Sequence, residues 1–195
     1  MKKWIIPIVL IVVLVIWGMG VNNKAVNLEE TVTQSWGNVE SSYQRRNDLI
    51  GNLVNTVKGA ADFERGTLTD VIEARAKASS TTIDANNLTA ENMAQFQEAQ
   101  SGLSGALSRL LVTVERYPDL KANQNFLELQ SQLEGTENRI NIARDRFNEA
   151  VKPYNTYVRQ MPTKLVAGAL GFDEKAYYEA DAGSENAPDV NFDFN

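Results

Sequence analysis

Residues 28–57 read LEETVTQSWGNVESSYQRRNDLIGNLVNTV, and this stretch decides the fold class. Its large apolar residues recur at steps of three, four or seven: Leu28, Val32, Trp36, Val39, Tyr43, Ile50, Leu53 and Val57. This period places them along one face of a helix. Asn27 is suited to cap that helix, and Glu29 and Glu30 follow in its first turn, where the helix dipole favours acidic side chains. The stretch therefore predicts a long amphipathic helix with one buried face.

Three further segments show the same helical period. They cover approximately residues 62–79, residues 90–117 after a cap at Thr89, and residues 119–160. Residues 79–89 lack this period and are rich in Ser, Thr, Asn and Asp, which is typical of a surface loop. Four amphipathic segments with short connections predict an all-α fold, an elongated up-and-down four-helix bundle.

An uncharged apolar run from Trp4 to Val21 precedes the first amphipathic segment. At about 1.5 Å per residue it is long enough to cross most of the hydrocarbon layer of a bilayer. The alternative is a cleavable signal peptide, but the run is longer than the usual apolar centre, and Gly18-Met19-Gly20 lacks the expected alanines. We therefore expect a retained single-span anchor that contacts the lipid bilayer. The residues predicted to anchor the chain in the bilayer are Trp4, Ile5, Leu10, Leu14 and Trp17.

The predicted organisation runs outward from this anchor. Residues 1–3 form a cytoplasmic N-terminus, 4–21 the transmembrane helix, 22–26 a juxtamembrane linker, 27–172 the bundle and 173–195 an acidic, disordered tail. Lys2 and Lys3 precede the span and only Lys24 follows closely, which favours the N-terminus inside. The bundle would then be periplasmic or extracellular at a bacterial cell membrane. Two geometries stay open at the linker: the anchor continues into the first bundle helix, or the chain breaks near Gly18, Gly20 and residues 22–23.

The composition excludes several function classes. The net charge of −6 comes from residues 173–195, which hold seven acidic residues and one lysine, so the rest is neutral and offers no basic face for nucleic acid. The chain has no histidine and no cysteine, which removes the usual general base, the common nucleophile arrangements and the commonest transition-metal ligands. We therefore predict no enzyme activity, no cofactor, no metal site and no small-molecule substrate. A carboxylate-only metal bundle with redox activity is a minor alternative, because it lacks the Glu-x-x-His pattern.

Polar residues interrupt the apolar stripe at one place. Arg46 occupies a position between Tyr43 and Ile50 that the stripe would otherwise fill with an apolar residue, so its guanidinium points toward neighbouring helices. The favoured interpretation is a buried ion pair that fixes helix register, with Asp145, Glu134 or Glu137 as the partner, rather than a ligand site. The candidate polar network or interaction face comprises Arg45, Arg46, Asp48, Asn52, Glu137, Asn138, Arg139, Arg144 and Asp145. An internal network and a protein-docking face both remain open.

The same residues carry a family resemblance. The motifs YQRRNDLIGNLV at 43–54, EAR at 73–75, ERYPDLKA at 115–122 and TENRI at 136–140 closely resemble the bacterial LemA family in order and spacing. The resemblance covers residues 26–172. It implies a single N-terminal anchor, a four-helix bundle and no established catalytic residues. Gly51 departs from the pattern, because the family typically has proline there, so the first helix is expected to be straighter or locally looser in this chain.

These features predict a non-enzymatic, membrane-anchored helical scaffold of the bacterial cell envelope. We expect it to form a homo-oligomer, to dock partner proteins, or both, because anchoring confines the helices to two dimensions and raises their effective concentration. The alternative function is an adaptor or sensor for an envelope-stress, membrane-protease or secretion system. Lipid remodelling is disfavoured, since the exposed faces lack the Lys/Arg and Trp pattern of interfacial helices.

Overall fold

The computed structural model describes residues 2–59 and 64–179, with side chains from residue 5 onward. Six helices follow one another: α1 (Lys2–Lys58), α2 (Arg65–Ser80), α3 (Ala90–Val114), α4 (Pro118–Lys121), α5 (Gln124–Arg159) and α6 (Thr163–Ala169). Within these described ranges there is no strand. The predicted all-α class is therefore confirmed. The predicted start of the second helix, at residue 62, lies outside the described residues.

Helix α1 runs without a break through 57 residues, a length of about 85 Å. It includes residues 22–26, the predicted juxtamembrane linker, so the anchor continues directly into the first helix of the body. Val21 and Ala25 are buried on the same helical face as Val32, which explains the continuity. The helix also continues through Gly51, where the family typically has proline.

Some helix ends differ from the predicted ones. Asn27 lies inside the continuous helix α1, so the predicted cap at that residue is wrong. Thr89 caps α3 as predicted, because its hydroxyl accepts a hydrogen bond from the Asn92 backbone N–H at 3.2 Å. The segment predicted as one helix over residues 119–160 is instead divided into α4 and α5. The side chain of Asn123 accepts hydrogen bonds from the backbone N–H groups of Asn125 and Phe126, and this cap starts α5 afresh.

Packing of these helices produces two apolar clusters along the length of α1. Helix α1 packs against α5, α2 packs against α3, and α1 also packs against α2. Helix α5 is antiparallel to α1, since Glu137 pairs with Arg46 and Tyr157 reaches Val21. The cluster nearer the apolar run contains Trp36, Phe96 and Phe147, whose rings meet edge to face. The distal cluster is built around Ile50, Leu53 and Leu110.

A C-terminal strap, residues 173–179, closes one side of the cluster near the apolar run. These residues belong to the stretch predicted to be a disordered tail, but the structure places them against α5 and the 81–89 loop. The Asn155 side chain donates a hydrogen bond to the Lys175 backbone oxygen at 2.8 Å and accepts one from the Lys175 backbone N–H at 2.9 Å. The Asn148 side chain makes the same pair of bonds with the backbone of Tyr178, at 2.9 and 2.8 Å. Asn148 and Asn155 are seven helical residues apart, and Lys175 and Tyr178 are three extended residues apart. Both separations are about 10 Å, so the two asparagines match the two strap residues in spacing. Residues 180–195 of the predicted tail lie outside the described residues.

Candidate functional site

The two apolar clusters are separated by a polar layer at mid-height of the helices. Its buried members are Arg46 and Asn47 on α1, Gln100 on α3 and Thr136 on α5. The layer lies between the two apolar clusters along α1: Tyr43 on one side of it belongs to the cluster nearer the apolar run, and Leu49 on the other side belongs to the distal cluster. Burying polar groups is costly unless they are paired, so the layer specifies how the three helices align.

Arg46 is the centre of this layer. Its Nη1 donates to Glu137 Oε1 at 3.0 Å and to Ser104 Oγ at 3.1 Å, while its Nη2 donates to Gln100 Oε1 at 2.6 Å. The guanidinium also lies over the Tyr43 ring, 4.9 Å from its centroid. Glu137 was one of the three partners predicted for Arg46. One side chain thus joins α1, α3 and α5 at a fixed register.

A polar cavity of about 230 Å³ adjoins Arg46. Arg46 Nε and Gln97 Nε2 are buried without a protein partner, and both residues line this cavity, which is large enough for several water molecules. The charge of Arg46 is already matched by Glu137, so the remaining N–H groups require only neutral acceptors such as water. This arrangement suits a hydrated structural ion pair.

Tyr43 and Tyr178 connect the polar layer to the C-terminal strap. Their hydroxyl oxygens are 2.6 Å apart, and the Arg144 guanidinium lies 4.0 Å from the centroid of the Tyr178 ring. Burial raises the pKa of the Tyr43 hydroxyl far above its ordinary value, and the neighbouring Tyr178 raises it further, while Arg46 and Arg144 oppose the rise. Tyr43 is therefore a neutral hydrogen-bonding group and is poorly suited to act as a base or nucleophile.

Lys175 in the strap is a second buried charge. Its Nζ lies 2.8 Å from Glu29 Oε1 and donates to the Asn86 backbone oxygen at 3.1 Å. The side chain is almost fully buried, and it connects the strap to α1 and to the 81–89 loop. Tyr154 adds a bond from its hydroxyl to the Asp173 backbone oxygen at 2.9 Å. The strap is thus held by polar contacts and also by Tyr178, which belongs to the apolar cluster nearer the apolar run.

The nine residues predicted to form one polar network or interaction face separate into four places. Arg46, Glu137 and Arg144 line the cavity at the polar layer. Arg45, Asp48 and Arg139 line an exposed groove between α1 and α5. Asn52 lies on the α2 side of α1, and Asn138 and Asp145 are exposed on α5. The prediction combined residues that point in different directions around their helices.

Sequence reasoning missed the strap and its partners. The relevant residues are Asn148, Asn155, Lys175 and Tyr178. A signal was present, because Phe172, Tyr177 and Tyr178 are large aromatic residues beside an otherwise acidic stretch. In addition, Asn148 and Asn155 are seven residues apart, which places them on the same face of α5.

The apolar part of α1 carries the predicted anchor residues. Ile5, Leu10, Leu14 and Trp17 are all exposed on the helix surface, and the side chain of Trp4 lies outside the described part. Of the helices that the structure describes, α1 is the one long and apolar enough to cross a membrane. Across residues 2–59 and 64–179, no group of three or more acidic residues is arranged to hold a metal ion.

Together these features define an all-helical protein built on one long helix whose N-terminal part could anchor it in a membrane. A family model described as LemA family matches residues 35–192, which is most of the chain. The chain therefore belongs to the LemA family, and the resemblance identified from its motifs is confirmed.

Named relatives are similar at modest identity. The chain is 24% identical over 178 residues to Magnetosome protein MamQ 1 of Paramagnetospirillum magneticum, an alignment that covers 80% of this chain and 64% of that protein. It is 21% identical over 162 residues to Protein LemA of Metamycoplasma hominis, covering 83% of this chain and 70% of that protein. The chain thus spans slightly less than two thirds of the length of the magnetosome relative.

Proposed function

We propose that this chain is a non-enzymatic, membrane-anchored scaffold of the bacterial cell envelope. In this proposal residues 4–21 span the cell membrane with the N-terminus in the cytoplasm, and an up-and-down four-helix bundle stands outside it. The scaffold associates with further copies of itself, docks partner proteins, or does both.

The observation that carries the proposal is the continuity of α1. A single helix contains the apolar run and then supplies one wall of both apolar clusters. No linker separates anchor from body, so the membrane would fix the orientation of the helical surfaces above it. A protein that presents a fixed surface at a membrane is suited to assembly, because anchoring raises its effective concentration toward neighbours.

The absence of enzymatic activity in the proposal is supported by the state of the polar groups. The buried guanidinium of Arg46 and the buried ammonium of Lys175 are each paired with a carboxylate and hydrogen-bonded to a further oxygen. Groups held in this way stabilise register and docking of the strap rather than react. The names of the two relatives state no reaction.

The exposed groove between α1 and α5 is the proposed docking face. It is lined by polar and charged side chains: Ser41, Ser42, Gln44, Arg45, Asp48, Gln132, Thr136 and Arg139. Charges of both signs lie side by side there, which favours a specific protein partner over a uniformly charged polymer. Arginine, which the groove contains twice, is enriched at protein–protein interfaces.

Cysteine cross-linking in native membranes tests the proposal. The chain has no cysteine, so a single Ser41→Cys variant places one reactive group in the groove, and Val112→Cys on the exposed surface of α3 is the matched control. A bismaleimide should join two Ser41→Cys chains, or one chain and a defined second protein, and Val112→Cys should give neither. The first product indicates self-association and the second indicates the adaptor function. Monomers alone from both variants would contradict docking at the groove.

Charge reversal provides a second measurement of the same face. Arg139→Glu should reduce the cross-linked product of Ser41→Cys, because the groove would lose one of its two arginines. Arg146→Glu makes the same change on an exposed part of α5 outside the groove and should leave the yield unchanged. Equal yields in the two variants would remove the groove from the proposal.

The proposed topology has its own test. In intact spheroplasts, a membrane-impermeant maleimide should label Val112→Cys when the helical body lies outside the cytoplasm. Labelling that requires lysis would reverse the orientation, since Val112 is exposed in the folded body and reacts wherever the reagent can reach it.

A further inference from the structure

Three large apolar side chains are exposed on and beside α6. Met161, Leu165 and Leu170 are 70%, 67% and 51% exposed, although α6 itself packs against α1 and α5 and buries Ala167 completely. Lys164 lies on the exposed side between Met161 and Leu165. We call Met161, Lys164, Leu165 and Leu170 the α6 surface.

The level of the α6 surface along α1 follows from the antiparallel register of α5. Glu137 is level with Arg46, and the Tyr157 hydroxyl reaches the Val21 backbone oxygen at 3.5 Å. Arg159, 22 residues after Glu137, is therefore level with about Lys24, 22 residues before Arg46, and α6 packs against α1 next to this end of α5. Val21, the last residue of the apolar run, is buried, so the helical body reaches the end of that run.

Residues 18–21 belong to the uncharged run that the proposed function places in the bilayer. The helical body and the apolar run thus meet at Val21. At that level exposed side chains meet lipid rather than bulk water, which accounts for three large apolar residues left uncovered in one place. A lysine between them suits the same position, because its stem can lie along apolar surface while its ammonium reaches the headgroups.

We propose that the α6 surface inserts into the outer boundary of the bilayer and makes a second lipid contact beside the α1 span. The partner is the lipid itself, both acyl chains and headgroups, because the surface is continuous with the helix that enters the membrane. Two contacts at one level fix the rotation of the helical body about the membrane normal, and so determine which way the α1–α5 groove faces. This inference rests on the proposed membrane anchor.

Spin labels on single cysteines in the full chain test the inference. The chain is reconstituted in nanodiscs of phosphatidylcholine and phosphatidylglycerol, and collision with oxygen is compared with collision with a water-soluble nickel chelate. Leu165→Cys reports the α6 surface, and Leu14→Cys reports the span. Val112→Cys is the aqueous control, because it is exposed in the last turns of α3 beside the distal cluster. All three positions are exposed, so labelling leaves the fold intact.

The expected result is a ratio of oxygen to nickel collisions at residue 165 that is several-fold higher than at residue 112 and close to that at residue 14. A ratio at 165 equal to that at 112, with 14 still shielded from nickel, would overturn the α6 contact and leave the anchor standing. A label at 14 that behaves as the one at 112 would overturn the anchor and the α6 contact together. Broadening between labels at 165 that disappears on dilution with unlabelled chain would assign the surface to a second copy and contradict the lipid contact.

Discussion

Removal of Glu137 should destabilise the helical body more than removal of its partner Arg46. The two side chains form one ion pair at 3.0 Å, but Arg46 is 3% exposed and Glu137 is 44% exposed. In Glu137→Ala the guanidinium stays buried with neutral partners alone, the oxygens of Gln100 and Ser104 and the Tyr43 ring. Such an uncompensated buried charge costs about 3–5 kcal/mol. In Arg46→Met the Glu137 carboxylate rotates into solvent. The main loss is then the hydrogen bond that Arg46 donates to Gln100 Oε1, which costs about 1–3 kcal/mol.

Urea unfolding of the full chain in mild detergent, followed by far-UV circular dichroism, measures both losses. Matched controls are Glu134→Ala, one turn from Glu137 and exposed, and Arg45→Met, next to Arg46 and exposed. Each control should change the free energy of unfolding by less than about 0.5 kcal/mol. Equal losses for Glu137→Ala and Arg46→Met, or a larger loss for Arg46→Met, would refute the reasoning that the buried partner determines the cost.

Three further changes test other parts of the structure. Asn155→Ala removes both bonds to the Lys175 backbone and should cost about 1–3 kcal/mol in urea unfolding, whereas Asn138→Ala on the exposed side of α5 should cost almost nothing; equal values would show that the strap is not clamped. Gly37→Ala should stabilise by up to about 1 kcal/mol because its Cβ meets open space, and Gly51→Ala should gain less, because its Cβ would lie 3.0 Å from Arg75 Nη2; the full gain should return in an Arg75→Ala background. Desolvation raises the pKa of the Glu40 carboxyl, a hydrogen bond with the Trp36 side chain opposes this rise, and the charge of Asp84 adds to it. Because the folded state binds the Glu40 proton more tightly than the unfolded state, it loses stability as the pH rises above 4.5, the ordinary pKa of a glutamate. Glu40→Gln should therefore stabilise at pH 7 by less than about 1 kcal/mol, with the gain vanishing in thermal melts below pH 4.5.

The helices could be predicted from the sequence because their information is periodic. All the large stripe residues from Val32 to Val57 are buried, and Arg46 lies at the position where the stripe lacked an apolar residue. The inward direction of Arg46 required a carboxylate partner on a facing helix, and this reduced the choice to three residues, one of which is Glu137. Periodicity is a local property of the chain, whereas charge pairing is a general requirement of buried ions, and both predictions are confirmed here.

The strap could not be predicted by those rules. Its contacts join the backbone of Lys175 and Tyr178 to amide side chains on α5, so its own sequence needs no apolar period. An acidic composition then resembles that of a disordered tail. The start of α5 differed for a related reason, because a single asparagine cap at Asn123 outweighs a helical pattern that continues across it.

The central claim is that the proposed membrane span and the first helix of the body are one rigid element, and a distance measurement tests it most directly. Cysteines at Met19 and Asn38 are exposed on α1 on either side of the predicted linker, and spin labels there can be measured by double electron–electron resonance in nanodiscs. The account predicts a narrow distribution near the helical spacing of the two positions, about 29 Å. A broad or markedly shorter distribution would place a hinge between anchor and body and contradict the account.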